Sequence, residues 1–397
     1  MYLERLSLTN VRTFERLDAA LEPGSYVVTG PNAAGKTNLL EAITLLATTR
    51  SSRAGADVEL ISQRALREEP LPAASIHGEV VTATDPVTVE VVISSREARG
   101  RAAAAGAPPP TSRHFRVNGI ARRASDLIGR LRVVMFSAAD LRIIDGSPTQ
   151  RRRYLDITLS QLDREYVRAL QRYQRVLQQR NSLLRSLQER RGRADELEFW
   201  DGELAASGAV MLHGRAVALR DLASAAAVHY AELAPRAEQL ALCYQPALPE
   251  GAAAAILDGA GLERVEAAFR ETLEARRGDD IAAGVTRSGP HRDDVRFEIG
   301  GSPAAAFASR GQQRTAALAL RLAEVGLSHE RTGDPPLLLL DDILSELDAQ
   351  RRERVLAAAY GVDQVVITSP DEDRPARTEL PDARRYRLAG GALEAVD

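Results

Sequence analysis

Eight residues near the N-terminus, Gly30-Pro31-Asn32-Ala33-Ala34-Gly35-Lys36-Thr37, have the types and the spacing to hold phosphate. They fit G-x-x-x-x-G-K-[ST]. In that pattern the N–H groups of a glycine-rich turn surround phosphate oxygens, and the next helix adds the positive end of its dipole. Lys36 would bring a mobile charge to the β- and γ-phosphates, and Thr37 a hydroxyl for Mg²⁺. Lys36 is the only lysine among the 397 residues, every other basic position being arginine. Whatever bias removed lysine kept it where arginine's rigid fork is a poor substitute.

Far along the chain, Leu337-Leu-Leu-Leu-Asp341-Asp342 sets two carboxylates at the end of an apolar run that follows Pro335-Pro336. Such a run reads as a fully buried parallel strand. An aspartate at its end can hold Mg²⁺, and the neighbouring carboxylate can orient or deprotonate an attacking water. The long separation from the phosphate loop implies that the intervening segments are inserted within one nucleotide fold. Ser309-Arg-Gly311-Gln312-Gln313 opens an apolar-striped helix, and Ser345-Glu-Leu-Asp348 follows the carboxylates. Serine and glycine at a helix N-terminus make either a second anion site or a simple cap.

The flanking pattern supplies elements to position these groups. Tyr2–Leu8 and Ser25–Thr29 read as strands, Asn38–Leu46 as the helix after the loop, and Ala74–Val81, Val87–Ile93 and Arg113–Val117 as further strands. A turn is expected at Asn118-Gly119, and a loop or hairpin tip over Arg96–Ser112. From about Ser125 the apolar period changes from two to 3.6. Between Arg151 and Arg193 there are twelve arginines against four acidic residues. A helix over Leu162–Leu187 would put Tyr166, Leu170, Tyr173 and Leu177 on one face and Arg164, Arg168, Arg172 and Arg175 on the other. Such a stripe is ordinarily a solvated face; the alternative is a surface for nucleic-acid phosphates, to which Arg99, Arg101, Arg122 and Arg123 would add. The helical pattern then continues to Arg277, broken at Pro235 and around Pro246–Gly251.

The length allows about two or three domains, and a 44% hydrophobic, 27% charged composition is that of a soluble globular protein. No apolar run is long enough for a membrane helix, and the N-terminus has no secretory core. Cys243 is the only cysteine, so no internal disulfide or Cys/His metal site is expected. The chain is expected to be cytoplasmic. A net charge of −3 neither favours nor excludes nucleic acid.

Taken in order, Gly30–Thr37, Ser309–Gln313, Leu337–Asp342 and Ser345–Asp348 resemble the Walker A, signature, Walker B and D-loop motifs of ABC-type ATPase heads in chromosome-maintenance and recombination proteins. With Arg151-Arg-Arg-Tyr-Leu-Asp156 and Ser288-Gly-Pro-His-Arg-Asp-Asp294 added, most of the chain resembles the bacterial RecF family of gap-repair proteins, which are SMC-like. The resemblance implies an α/β fold: a P-loop ABC-type head of mixed sheet and helices, with an inserted, mainly helical lobe and no long coiled coil. Its expected parts are 1–125 for the N-terminal half of the head, 126–284 for the arginine-rich lobe and 285–397 for the rest of the head. It also implies ATP and Mg²⁺ as cofactors, an ATP-dependent homodimer, slow hydrolysis, and binding to duplex DNA at single-strand/double-strand junctions. RecR, RecO and RecA are the expected companions in recombinase loading at gaps, with no membrane partner.

By the same resemblance Gly30–Thr37 would bind nucleotide, with Lys36 and Asp342 catalytic and Thr37 and Asp341 holding Mg²⁺. Ser309, Gly311 and Gln312 would address ATP on the partner subunit. Asp342 stands where transporter heads carry glutamate, Thr368 where many heads carry a switch histidine, and Arg310 where the transporter signature has glycine. Val133–Pro148 resembles a Q-loop region yet lacks glutamine before Gln150. A transporter ATPase and an ATP-switched assembly scaffold that touches no DNA are the alternatives. A nuclease is disfavoured by the short chain after Walker B.

Overall fold

The computed structural model describes residues 1–51, 53–95, 110–234, 238–370 and 380–396. Arg99, Arg101, most of the Arg96–Ser112 loop and the expected break at Pro235 lie outside the described residues. The chain divides into two compact units, Met1–Ala139 with Glu324–Asp397, and Asp140–Ala323.

Two six-stranded sheets build the first unit. One is antiparallel, in the order Phe14–Ala20, Tyr2–Val11, Ala73–Val81, Val87–Ser95, Thr111–Val117, Ile120–Arg122. In Ala73–Val81 and Val87–Ser95 every second residue is buried, the period-two pattern of a sheet with one covered face. Asn118 and Gly119 turn the last hairpin with φ of 52° and 74°, the left-handed pair that a tight Asn-Gly turn needs.

The second sheet runs Ala392–Val396, Arg384–Ala389, Gly24–Thr29, Gln364–Thr368, Leu337–Asp341, Val133–Ser137, parallel except for the first. Leu337 to Leu340 are each 0% exposed, as a strand covered on both faces must be. The helix Lys36–Thr48 shares one core with both sheets: Leu39, Leu40, Ile43 and Leu46 pack with Leu3, Ile76 and Val89 of the first, and with Leu337, Leu339 and Val366 of the second. At Gly78 a Cβ would stand 2.8 Å from Leu46 Cδ1, so this glycine lets the helix seat against the antiparallel sheet.

The second unit holds the helices Pro148–Leu162, Arg164–Gln188, Glu196–Leu233, Glu250–Leu257, Leu262–Ala275 and Arg277–Ala283. It also holds a three-stranded sheet of Ser302–Pro303, Asp294–Ile299 and Leu240–Gln245. Its limits differ from the 126–284 expected. Val133–Ser137 is hydrogen-bonded along Leu337–Asp341 and so belongs with the parallel sheet. Asp294–Ile299 pairs antiparallel with Leu240–Gln245, which draws 285–323 into the second unit. The helix Arg310–Thr332 begins in the second unit and ends in the first.

Charge is buried in this unit and almost fully paired. Arg180, 0% exposed, bonds Asp201 at 2.7 Å and Asp280 and Thr286 at 2.8 Å. Arg215 bonds Asp156 at 2.8 Å, Asp293 at 3.0 Å and the carbonyl of Pro290 at 2.6 Å. The stretch Gly289–Asp294, whose role the sequence left open, is the knot of this network. Tyr244 O–H and Ala247 N–H donate to Asp293, Arg151 forks onto Asp294, and Tyr173 O–H meets His291 Nδ1 at 2.7 Å. A polar turn is buried there because each of these groups finds a partner.

Candidate functional site

The phosphate loop leaves the strand Gly24–Thr29 and enters the helix Lys36–Thr48. Gly30 has φ of 153°, and a Cβ on it would lie 2.5 Å from the carbonyl oxygen of Leu388. Gly35 has φ of 110°, and a Cβ there would lie 2.6 Å from Thr13 Oγ1. Both positions need glycine for backbone angle and for space. The Lys36 ammonium donates to the loop's own carbonyls, of Gly30 and, at 3.2 Å, of Pro31.

The strand Leu337–Asp341 brings Asp341 to this helix. Thr37 Oγ1 donates to Asp341 Oδ1 at 3.0 Å, and Thr368 Oγ1 donates to the same oxygen at 2.9 Å. Parallel pairing in register, Asp341 against Thr368, holds the second contact in place. Asp342 is exposed and adopts φ of 55°, a conformation few side chains other than Asn and Asp take readily. Its N–H donates to the carbonyl and hydroxyl oxygens of Thr368 at 3.2 and 3.1 Å, and Ser345 Oγ donates to its carboxylate at 3.2 Å. The turn thus presents one carboxylate to the loop helix and the next to solvent.

A hydroxyl and a carboxylate within 3.0 Å of each other are hard oxygen donors suited to Mg²⁺. Among the described residues no group of three or more His, Cys, Asp or Glu could hold a metal alone. Such an ion would need phosphate oxygens to complete its shell, which Mg²⁺ commonly uses.

The loop helix has its own brace. Glu41, 3% exposed, takes the Arg12 guanidinium on both oxygens at 3.0 Å and the Ser51 hydroxyl. Asn38 Nδ2 donates to Thr13 Oγ1 at 3.1 Å. Neither Arg12 nor Thr368 was singled out as a partner from sequence. Thr368 carried a usable signal: it ends an apolar strand, Gln364-Val-Val-Ile-Thr368, much as Asp341 ends its own.

Ser309, Gly311 and Gln312 belong to the second unit, whereas Gly30–Thr37, Asp341 and Asp342 belong to the first. Ser309 and Gly311 are exposed at the start of Arg310–Thr332. The N–H of Gln312 donates to Ser309 Oγ at 3.3 Å and the N–H of Ser309 to Gln312 Oε1 at 2.7 Å, a reciprocal cap. The cap uses the serine oxygen as acceptor, which leaves its proton to donate.

Residues 2–376 match the family described as RecF/RecN/SMC N terminal domain. The chain is 46% identical to the DNA replication and repair protein RecF of Roseiflexus castenholzii, over 99% of both chains. It is 44% identical to the RecF of Chloroflexus aurantiacus over the whole of both. Among solved structures, the recombination mediator protein RecF with ATP, of the RecFOR pathway, superposes with a TM-score of 0.84 at 28% identity, covering 100% of this chain and 99% of that one. An SMC head domain from Pyrococcus furiosus, 14% identical with a TM-score of 0.52 over 100% of this chain and 96% of its own, shares the fold. The fold is therefore that of an ABC-type ATPase head of the RecF and SMC kind.

Proposed function

The chain belongs to the RecF family of DNA replication and repair proteins, and on that premise we propose that it is an ATP-switched, DNA-binding clamp of recombinational gap repair. One observation carries the nucleotide half. Thr37 and Asp341, 304 residues apart in the chain, are hydrogen-bonded at 3.0 Å at the mouth of a glycine-rich loop. Gly30, Pro31, Asn32, Ala33, Ala34 and Gly35 would offer backbone to the phosphates, Lys36 its charge, and Thr37 and Asp341 oxygens to Mg²⁺. Asp342 would align the attacking water. One methylene shorter than glutamate, it fits slow turnover. Ser309, Gly311 and Gln312 would meet the γ-phosphate of ATP held by a second copy, so ATP closes the dimer and hydrolysis opens it. The similarity to a recombination mediator solved with ATP supports the reading. RecR is the expected direct partner, with RecO and RecA in the same pathway.

The DNA half is supported by the helix Arg164–Gln188. Arg164, Arg168, Gln171, Arg175, Gln178, Ser182 and Arg185 recur at alternating steps of four and three residues, a single face with no acidic member. Gln171, Gln174, Arg175 and Gln178 line a shallow groove on it. Arg164, Arg168 and Arg185 are exposed and have no carboxylate partner among the described residues, whereas Arg172 is bound by Glu203. A row of unneutralised guanidinium groups suits duplex phosphates read without base contacts.

Binding of a fluorescent duplex carrying a single-strand gap, followed with and without ATP across a salt series, tests this. Asp342→Asn should trap a tight, ATP-dependent complex, and Lys36→Ala should abolish it. Each of Arg164, Arg168, Arg175 and Arg185 changed to Gln should flatten the slope of log affinity against log salt by about 0.9. An ATP-dependent dimer indifferent to DNA would leave the scaffold reading standing instead.

A further inference from the structure

Arg310 sits between Ser309 and Gly311 as the first residue of the 23-residue helix Arg310–Thr332. A cation there is the wrong sign for the helix, whose N-terminus already carries positive partial charge. Guanidinium and helix end together attract an anion. Within this chain the anion is Asp145: Arg310 Nη1 donates to its carboxylate, and to Gln313 Oε1 at 3.3 Å. Arg310 remains 71% exposed while Asp145 is 24% exposed, so the arginine can leave the pair by rotating outward.

Asp145 is held more firmly. It ends the short helix Leu141–Asp145. The next residue, Gly146, has no room for a side chain, since a Cβ would stand 2.2 Å from the carbonyl oxygen of Arg142. The Gly146 carbonyl accepts from Arg151 Nη1 at 2.6 Å, and Arg151 in turn forks onto Asp294 at 2.7 and 2.9 Å. The carboxylate is therefore fixed on a braced turn while its arginine is not.

We propose that Asp145 is a built-in competitor for Arg310. On this account Arg310 contacts the γ-phosphate of ATP bound to the partner subunit, and the ion pair with Asp145 must open first. The proposal rests on the assignment of Ser309–Gln313 as the signature motif facing the partner's nucleotide. A guanidinium can fork onto two phosphate oxygens, and a terminal phosphate carries more charge than one carboxylate, so the exchange favours ATP once it is bound. The pair sets how much ATP is needed for two chains to close.

Sedimentation of the full chain over a range of Mg-ATP concentrations tests it, with melting and circular dichroism to confirm that each variant folds. Asp145→Asn, and Asp145→Ser as a second variant, should lower the ATP concentration for half-maximal dimer by roughly two- to fivefold, the range an exposed ion pair of this kind is worth. Arg310→Ala should raise it, Arg310→Lys should fall between, and Arg310→Ala combined with Asp145→Asn should match Arg310→Ala alone. A wild-type ATP-dependent dimer that Asp145→Asn leaves unchanged would overturn the proposal and spare the signature assignment. So would a gain from Asp145→Asn that persists without Arg310. No ATP-dependent dimer in the wild type would overturn both.

Discussion

At the scale of single residues, one carboxylate oxygen gathers the nucleotide site. Asp341 Oδ1 accepts from Thr37 and from Thr368. The first hydroxyl comes from the loop helix and the second from the neighbouring strand, so the orientation of the carboxylate is set from two sides. Thr368→Val keeps the shape and removes the second hydroxyl. It should lower ATP hydrolysis by roughly 10- to 100-fold, the usual effect of losing a group that orients a metal-holding carboxylate. ATP binding should change far less, because Lys36 and the loop backbone are untouched. Equal losses in binding and turnover, measured by equilibrium titration and steady-state hydrolysis, would show instead that the substitution damages the whole loop. Lys36, Thr37 and Asp341 were legible in the sequence because their roles follow from local spacing and from an apolar run that ends in acid. Thr368 and Arg12 were not. Their partners lie 27 and 29 residues away, and only register and packing bring them together.

At the scale of elements, the second unit joins its helices through buried charge. Asp201 and Asp280, each 1% exposed, share Arg180, and breaking such a pair from one side strands a charge at a cost of about 3–5 kcal/mol. The turn Gly289–Asp294 adds a titratable group. Burial, with Arg292, Arg152 and Arg180 nearby, pushes His291 down to about 4, against the pull of the Thr286 carbonyl. The neutral ring donates Nε2–H to Thr286 at 3.0 Å and accepts from Tyr173 at Nδ1. Between about pH 6.5 and 4 the unfolded chain binds a proton that the folded chain refuses. Stability from this group is therefore complete above pH 6.5 and is lost as the pH falls toward 4. The loss is roughly 3 kcal/mol at most, and less for the part of the ring that meets solvent. Urea unfolding between pH 4 and 7 should show this slope in the wild type and a flatter one in His291→Gln; identical slopes would contradict it.

The alternating strands of the antiparallel sheet and the stripe on Arg164–Gln188 were readable from period alone. Val133–Ser137 was not, because a strand buried between others has no period to show. The inward arginine did leave a trace: Tyr166, Tyr173 and Arg180 recur every seven residues on the buried face. The same arithmetic that picked out the exposed stripe could have separated Arg180 from it.

At the scale of the whole molecule, the motifs of one chain are divided between its two units, Walker A and Walker B in one and Ser309–Gln313 in the other. The family and the fold follow from residues 2–376 and from the superposition on RecF. Among the described residues no helix is long and apolar enough to cross a membrane, which leaves the transporter alternative without support from the helices described. The longest described helix, Glu196–Leu233, has 38 residues, or about 57 Å at 1.5 Å per residue; it is joined by a short loop to Arg164–Gln188 and forms no extended arm. The central claim is that a working ATP site is shared by two copies, Lys36 from one and Ser309 from the other. Mixing two inactive variants measures this most directly. Lys36→Ala cannot bind ATP productively, and Ser309→Arg blocks the surface offered to the partner's nucleotide. Each alone should neither dimerise with ATP nor hydrolyse it. Mixed, they can form one complete site from the intact Lys36 of one chain and the intact Ser309 of the other. The account predicts that ATP-dependent dimer and hydrolysis reappear in the mixture; a mixture as inactive as its components, with both variants folded, would contradict it.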